Sequence, residues 1–280
     1  MEYVANKNEK LIKSLIHNVQ GLSFGNAQKL LRTGDVKING KRIKDNIDIN
    51  IGDFISVYIK NRSIPKVDIV YIDDNIIVVN KPQGIECATR DKSSDNTYSL
   101  EEIFAEYTPI IIHRLDRLTE GLVVMARKID IARKFEKYFE TKKIEKHYQA
   151  LVLGQISGSA IKTAYLKKDA KNSKVDISDV PLPDYKEIIT EYSAINNYKD
   201  FTLLDINLHT GRTHQIRAHL SHLGHPVYND AKYGNNALTQ DYKGYFLTAY
   251  KLIFHLDDDM SYLNNIELQI QPSWLKYIEK

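Results

Sequence analysis

The apolar runs of this chain are short. The longest, such as Ile76-Ile77-Val78-Val79 and Leu122-Val123-Val124-Met125-Ala126, stop after four or five residues. A membrane-spanning helix needs roughly 18–20. Strand-like runs recur at residues 76–80, 109–113, 121–126, 146–153 and 201–208, and turn residues such as Lys81-Pro82-Gln83-Gly84 separate them. Helical periodicity appears between only some of these runs. In one helix, Ile131, Ala132, Phe135, Tyr138 and Phe139 share a face, and Asp130 is placed to cap it. In another, over 214–223, Ile216, Leu220 and Leu223 do so. Residues 154–200 read as β-rich and irregular, with Pro181-Leu182-Pro183 as a surface loop, and residues 273–278 as a short helix. Strands and helices outside regular βαβ alternation predict an α+β protein. Its main sheet is expected to be mixed and largely antiparallel, with helices on one face.

The length, 280 residues, fits one large domain or two, and charge divides it. Residues 1–66 hold 12 Lys and Arg against 6 Asp and Glu, while residues 67–280 hold 27 against 30. A basic head therefore precedes a near-neutral body. Concentrated positive charge fits a polyanion partner, and equally a solvated surface. In the head, Leu11, Ile12, Leu15, Ile16 and Val19 predict an amphipathic helix over 8–20, stopped by Gly21. A second helix fits 26–32. Val36-Lys37-Ile38 reads as a strand, Asn39-Gly40 as a tight turn, and residues 54–59 as a closing strand after Gly52-Asp53. The string from Ala27 through Leu30, Leu31, Gly34, Val36, Asn39 and Gly40 to Lys41, then Ile51-Gly52-Asp53, resembles an S4 RNA-binding domain. The resemblance covers 1–62. It implies one basic face for RNA, built from Lys29 and Arg32 on the helix and Lys37, Lys41, Arg42 and Lys44 on the hairpin. Residues 60–66 read as a linker, and a second domain is expected over 67–280.

Two segments of that second domain concentrate chemistry. In His113-Arg114-Leu115-Asp116-Arg117-Leu118-Thr119-Glu120-Gly121, one carboxylate sits between two arginines. Neighbouring guanidiniums favour its ionised form, which can act as nucleophile or base. Spacing alone equally fits a structural Asp–Arg pair. The second segment runs from Thr210 through Arg212, His214 and Arg217 to Leu220, then Gly224-His225-Pro226-Val227. Five of the nine histidines fall between 209 and 225. They lack the HExxH spacing and any cysteine, so a metal site is not expected. Contacts to a nucleic-acid backbone, or hydrogen-bonded packing, fit better. The one cysteine, Cys87, excludes a disulfide within the chain. The mixed-charge residues 1–10 lack the apolar stretch of a secretory signal. A cytosolic protein without membrane segments is expected.

Taken together, the motifs are similar to those of the RluA family of pseudouridine synthases. The strings that match are Asn80-Lys81-Pro82-Gln83-Gly84, residues 113–121, Lys146-His147-Tyr148-Gln149-Ala150 with Val152 and Gly154, residues 210–220, residues 224–227 and Tyr233-Gly234. The resemblance implies isomerisation of uridine in RNA to pseudouridine without a cofactor. It casts Asp116 as the catalytic carboxylate, Tyr148 as the residue that stacks on the target uracil, and Arg217 as the partner of Asp116. Arg114 would fill the space of an extruded nucleotide. His113, Arg212 and His214 would contact RNA or support the site, and Cys87 would be a plain small residue. By the same resemblance the substrate is large-subunit ribosomal RNA in preference to tRNA, acted on by a monomer. A catalytically silent RNA-binding or ribosome-assembly factor on the same fold is the alternative, against which the complete Asp116, Tyr148 and Arg217 set speaks. The chain departs from the family pattern at Glu120, Asn229 and Thr248, where Ser, Gly and His are usual.

Overall fold

The computed structural model describes residues 1–19, 22, 24–58, 64–89, 98–169, 174–234, 242 and 244–278. Two compact units emerge, Met1–Ile64 and Pro65–Lys280. Among the described residues no helix is long and apolar enough to cross a membrane.

The first unit runs β1 (Glu2–Val4), β2 (Glu9–Lys10), α1 (Leu11–Asn18), α2 (Phe24–Thr33), β3 (Val36–Ile38), β4 (Lys41–Ile43), β5 (Asp48–Ile49) and β6 (Phe54–Val57). Strands β1-β6-β3-β4 form an antiparallel sheet, and β2 pairs with β5. The apolar stripes of α1 (Leu11, Ile12, Leu15) and α2 (Ala27, Leu31) close over Val36, Ile38, Ile55 and Val57. The first helix starts at Leu11, three residues later than its periodicity implies, because Glu9 and Lys10 pair with Ile49 and Asp48. Its first amide groups are satisfied by that neighbouring segment, Leu11 N by Ile47 O and Ile12 N by Asn46 Oδ1. The expected helix stop at Gly21, the end of the closing strand at Ile59 and linker residues 60–63 lie outside the described residues.

The second unit runs β7 (Asp68–Ile72), β8 (Ile76–Lys81), α3 (Leu100–Ile103), β9 (Ile110–Ile111), β10 (Glu120–Ala126), α4 (Ile129–Glu140), β11 (Ile144–Leu153), β12 (Ser159–Asp169), β13 (Lys174–Ser178), β14 (Lys186–Asn197), β15 (Phe201–Leu208), α5 (Gln215–His222), β16 (Leu247–Phe254) and β17 (Leu268–Gln269). Its sheet has the order β13-β12-β14-β15-β11-β16-β10-β8-β7, with β17 on β16 and β9 on β10. It is mixed and largely antiparallel, as the sequence predicts: β10 and β16 pair in parallel and the other ladders are antiparallel. At the parallel contact Gly121, with φ of +125°, lies opposite Ala249. A Cβ there would overlap the Ala249 backbone, so only glycine fits.

Helices cover both faces of the sheet, not one. Ile77, Val79, Val123, Met125, Tyr148 and Ala150 face Leu100 of α3 and Ile216 and Leu220 of α5. Ile76, Val78, Leu122 and Val124 face Ile131, Ala132, Phe135 and Tyr138 of α4. The physical reason is visible in the strands. β8 and β10 are apolar at successive positions, the signature of a strand buried on both sides. Four local expectations are also corrected. Helix α4 is capped by extended Lys128 with no side-chain bond, and Asp130 lies in its first turn, favourable beside the helix N-terminus. The described part of residues 154–200 is β-rich, as expected, but forms long regular ladders, β12 to β14, in place of an irregular segment. The strand over 109–113 shrinks to two residues. The last helix is a single 3₁₀ turn, Leu275–Tyr277. Pro181, Leu182 and Pro183 are exposed in a loop, as expected.

Candidate active site

The loop between β9 and β10 carries Asp116, and its backbone is anchored from below. Lys81, at the end of β8, is fully buried. Its ammonium donates to the carbonyls of Pro82 (3.2 Å), Ile85 (3.0 Å) and Arg117 (3.2 Å). Burial pushes this lysine down to about 8, against the pull of Cys87, Glu86, Asp116 and Glu120. Gly84 N also donates to Arg117 O, at 2.8 Å. The buried Cys87 thiol takes the Leu115 N–H at 3.3 Å, one residue before Asp116. Thr119 N closes the turn on Asp116 O at 3.0 Å.

The arginine that meets Asp116 comes from α5, not from its sequence neighbours. Arg217 Nη1 donates to Asp116 Oδ2 at 2.9 Å. Arg117 instead lies 3.9 Å from Glu86, and Arg114 is exposed at the rim. The rest of the Arg217 fork is held by Asp230, through Nε at 2.6 Å and Nη2 at 3.0 Å. Asp230 is buried and also takes the amides of Lys232 and Tyr233. The guanidinium lies between two rings, 4.1 Å from that of Tyr245 and 5.1 Å from that of Tyr233. Burial alone would lower Arg217, but Asp230, Tyr245 and Asp116 hold it charged, above its ordinary value. Tyr245 Oη, 2.9 Å from Thr119 Oγ1, donates to Asp116 Oδ2 at 3.4 Å.

A cleft opens here, lined by Arg114, Asp116, Tyr148, Arg212, His214 and Arg217. Tyr148 comes from β11, where its alternation points it to the face that bears the cleft. Burial, reinforced by Asp116, holds its phenol above the ordinary value, so it stays protonated. His214 precedes α5 in the left-handed conformation, with φ of +57°, so it and Arg217 do not share a helix face as their spacing implies. Both still reach Asp116, His214 Nε2 at 3.7 Å. Five of the expected site residues thus gather around the Asp116 carboxylate and its cleft: Arg114, Tyr148, Arg212, His214 and Arg217.

His113 does not line the cleft. Burial, with Lys146 nearby, pushes its ring down to about 3, and the bare Nε2 accepts the Val124 N–H at 3.0 Å. Its ring lies 4.8 Å from that of Phe139. The other clustered histidines have separate partners: Glu191 for His209, Thr190 for His219, Asp179 for His222 and the Leu153 carbonyl for His225. Among the described residues no three His, Cys, Asp or Glu gather where a metal could sit.

The three departures from the family pattern resolve into two local solutions. Glu120 and Thr248 touch each other, Thr248 Oγ1 donating to Glu120 Oε1 at 2.7 Å. The carboxylate also takes Ser273 N (2.8 Å) and Ser273 Oγ (2.6 Å), and Trp274 Nε1 donates to Thr248 Oγ1 at 2.8 Å. Asn229 has φ of +64°, a conformation that glycine and asparagine adopt most readily. Its amide donates to the carbonyls of Tyr242 and Gly244.

In the first unit, strand alternation splits the expected basic face. Lys37 and Arg42 are cross-strand partners on the outer side of the β3–β4 hairpin, while Lys41 pairs with Ile38 and takes the other side. Lys37 Nζ sits 5.0 Å over the Tyr58 ring. The stems of Arg42 and Lys44 lie over Gly34, just past α2, where Arg32 occupies the last turn. Lys29 is half-buried on α2.

Sequence reasoning missed Asp230 and Tyr245 as members of the site. Asp230 had a weak signal, following a turn-forming asparagine after the Gly224–Val227 motif. Tyr245 had none among 18 tyrosines.

The sequence matches the family described as RNA pseudouridylate synthase over residues 75–222. It is 32% identical to an uncharacterized RNA pseudouridine synthase of Mycoplasma capricolum subsp. capricolum, with 98% of both chains covered. It is 33% identical to ribosomal large subunit pseudouridine synthase C of Buchnera aphidicola subsp. Baizongia pistaciae, over 84% of this chain and 80% of that one. The fold is similar to that of human RNA pseudouridylate synthase domain containing 1, with a TM-score of 0.63 over 79% of this chain and 89% of that one. The two share 22% identity, so that likeness is one of fold alone.

Proposed function

The chain belongs to the RluA family of RNA pseudouridine synthases, and from that premise we propose that it converts uridines of large-subunit ribosomal RNA to pseudouridine, with Asp116 as the catalytic carboxylate. The isomerisation breaks the bond from uracil N1 to ribose C1′, turns the base, and joins C5 to C1′. The C5 hydrogen leaves as a proton, and N1, freed from the ribose, takes one up, so that the product is an isomer. Asp116 attacks the ribose or assists proton loss while the glycosidic bond breaks. Arg217 holds it ionised and oriented. Tyr148 stacks on the uracil, and its protonated phenol is available for proton transfer. Arg114, exposed at the rim, fills the space of the extruded nucleotide. Arg212 contacts the RNA backbone.

The observation that carries this reading is the Asp116–Arg217 contact at 2.9 Å beside Tyr148 in one cleft. Large-subunit ribosomal RNA is favoured by the named activity of the Buchnera relative. The unit Met1–Ile64 acts as an S4-type RNA-binding module, supported by the outward Lys37 and Arg42 pair. Mapping pseudouridines in cells that lack the protein tests the target. Loss of sites in large-subunit ribosomal RNA is expected; loss confined to tRNA would overturn the assignment.

A further inference from the structure

The two oxygens of Asp116 are not equivalent. Arg217 Nη1 and Tyr245 Oη both donate to Oδ2, and His214 Nε2 approaches the same atom at 3.7 Å. Oδ1 takes no hydrogen bond among the described residues, although the Asp116 side chain is 20% exposed in the cleft. Among the described residues, the donors to this carboxylate all gather on Oδ2.

The His214 ring is itself oriented from outside the cleft. Its Nδ1 lies 2.8 Å from Tyr233 Oη, and that same hydroxyl takes the Val175 N–H of β13 at 2.9 Å. The amide occupies one lone pair, and a phenol that donates its proton to Nδ1 satisfies both groups. A neutral imidazole then carries its one proton on Nε2, the nitrogen that faces the Asp116 carboxylate, an acceptor only. Burial keeps the ring neutral, pushing it down to about 4; Arg217 and Lys232 act in the same direction, Asp116 and Asp230 against it. The His214 backbone is in the left-handed region, with φ of +57°, a conformation strained for most residues. At 3.7 Å the Nε2–Oδ2 contact is too long for a hydrogen bond, but such contacts in unliganded sites tighten when substrate binds.

We propose that His214, fixed as the Nε2–H tautomer by Tyr233, is a positioning residue that closes on Asp116 Oδ2 and leaves Oδ1 as the oxygen that meets the ribose. This rests on the reading of Asp116 as the catalytic carboxylate. No proton leaves His214; it donates a hydrogen bond and keeps the ring proton. The chain of contacts also reaches β13, so the β12–β13 hairpin sets the orientation of the ring from outside the cleft.

The test has two arms on the full-length protein. The first is ¹⁵N NMR of the histidine rings, which reads the tautomer without RNA. The wild type is expected to show Nε2–H at His214, and Tyr233→Phe to shift the population toward Nδ1–H. A wild-type ring protonated on Nδ1 alone would overturn the proposal. The second arm follows release of tritium from uracil C5, using RNA from cells lacking the enzyme, in single turnovers at saturating protein. His214→Leu should slow the step by about 100-fold, the scale set by misplacing a reacting group, with RNA affinity unchanged. His214→Gln, whose amide N–H can stand near the position of Nε2–H, should recover most of the rate. Equal defects in folded Gln and Leu variants, or a Leu variant within about threefold of wild type, would overturn it. Tyr233→Phe leaves the His214 backbone alone and covers the case in which Leu does not fold; it should slow the step while RNA affinity holds, and an unchanged rate would overturn the proposal. Asp116→Asn separates the two readings. If that variant turns over, the catalytic assignment has failed; if it is inactive and the His214 and Tyr233 variants are normal, only the positioning role has.

Discussion

Thr248 and Glu120 stand side by side on neighbouring parallel strands, the hydroxyl of one donating to the carboxylate of the other at 2.7 Å. Each helps satisfy the other in the buried interior. A buried carboxylate without donors is costly. Here Thr248 and two groups of Ser273 supply them, and the indole of Trp274 completes the chain. The two side chains act as one structural unit. It ties residues 273–274 to the strand that leaves the catalytic loop.

That coupling is measurable. Thr248→Val should destabilise the protein by about 2–4 kcal/mol, since it strips a donor from a buried carboxylate and orphans the Trp274 N–H. Added to Glu120→Ala it should cost much less, leaving a coupling of about 1 kcal/mol or more. Urea unfolding of the four-member cycle checks this. Additive costs would show the contact to be energetically idle.

Asp116→Asn keeps the shape of the side chain and removes its charge. Pseudouridine formation should disappear, while RNA affinity stays within a few-fold, because phosphate contacts dominate affinity. Tritium release and filter binding on the same preparation distinguish the two. Turnover near the wild-type rate would end the assignment of Asp116.

Arg217→Lys retains a charge and loses the planar fork that spans Asp230 and Asp116. A rate loss of about 100-fold is expected with RNA binding kept. Asp230→Asn should be worse for stability, by about 3–5 kcal/mol, because it leaves a buried guanidinium short of its main partner. If Lys serves as well as Arg, the fork geometry is irrelevant.

The first unit should act through phosphate contacts. Lys37→Ala with Arg42→Ala removes the outward pair of the β3–β4 hairpin. The slope of log affinity against log salt should fall by roughly 1–2. Single-turnover rates at saturating RNA should not change. An unaltered slope would show that this hairpin does not touch RNA.

His113 predicts acid lability. Its folded-state value lies at about 3, below the ordinary histidine value of about 6.5. Between these limits the unfolded chain binds a proton that the folded chain refuses, so stability is lost as pH falls. For this one group the loss is at most roughly 2 kcal/mol from pH 6.5 to 5. His113→Gln, which can still accept the Val124 N–H, should flatten that part of a stability–pH curve. An identical curve would show that His113 is not held neutral.

Local order was legible in the sequence, and long-range pairing was not. The apolar runs 76–79 and 122–126 marked β8 and β10, and three- to four-residue spacing marked α4 and α5. The ladders β12 to β14 were missed as regular because both faces carry polar residues near the sheet edge, which blurs the alternation. Asp116 stood out through its motif. Its contact with Arg217, 101 residues away, has no trace in periodicity and rested on family resemblance. Asp230 and Tyr245 reach the site from loops, where neither spacing nor amphipathicity marks a side chain. The expectation that all the hairpin lysines and arginines share a face failed on strand parity alone, since Lys41 is one residue from Arg42.

Strand β16 sits between β11 and β10 in the middle of the sheet, although both of these neighbours precede it by many residues in the chain. Without it, β10 and β11 would each present an unpaired inner edge, the kind of surface on which strands of other chains add. Tyr245 lies just before β16, and Asp116 and Tyr148 lie on opposite sides of the gap it fills. The cleft therefore depends on β16, which joins the strand that follows Asp116 to the strand that carries Tyr148. Closing this sheet therefore rests on pairings distant in sequence, the kind whose loop-closure entropy must be met before the contacts offset it.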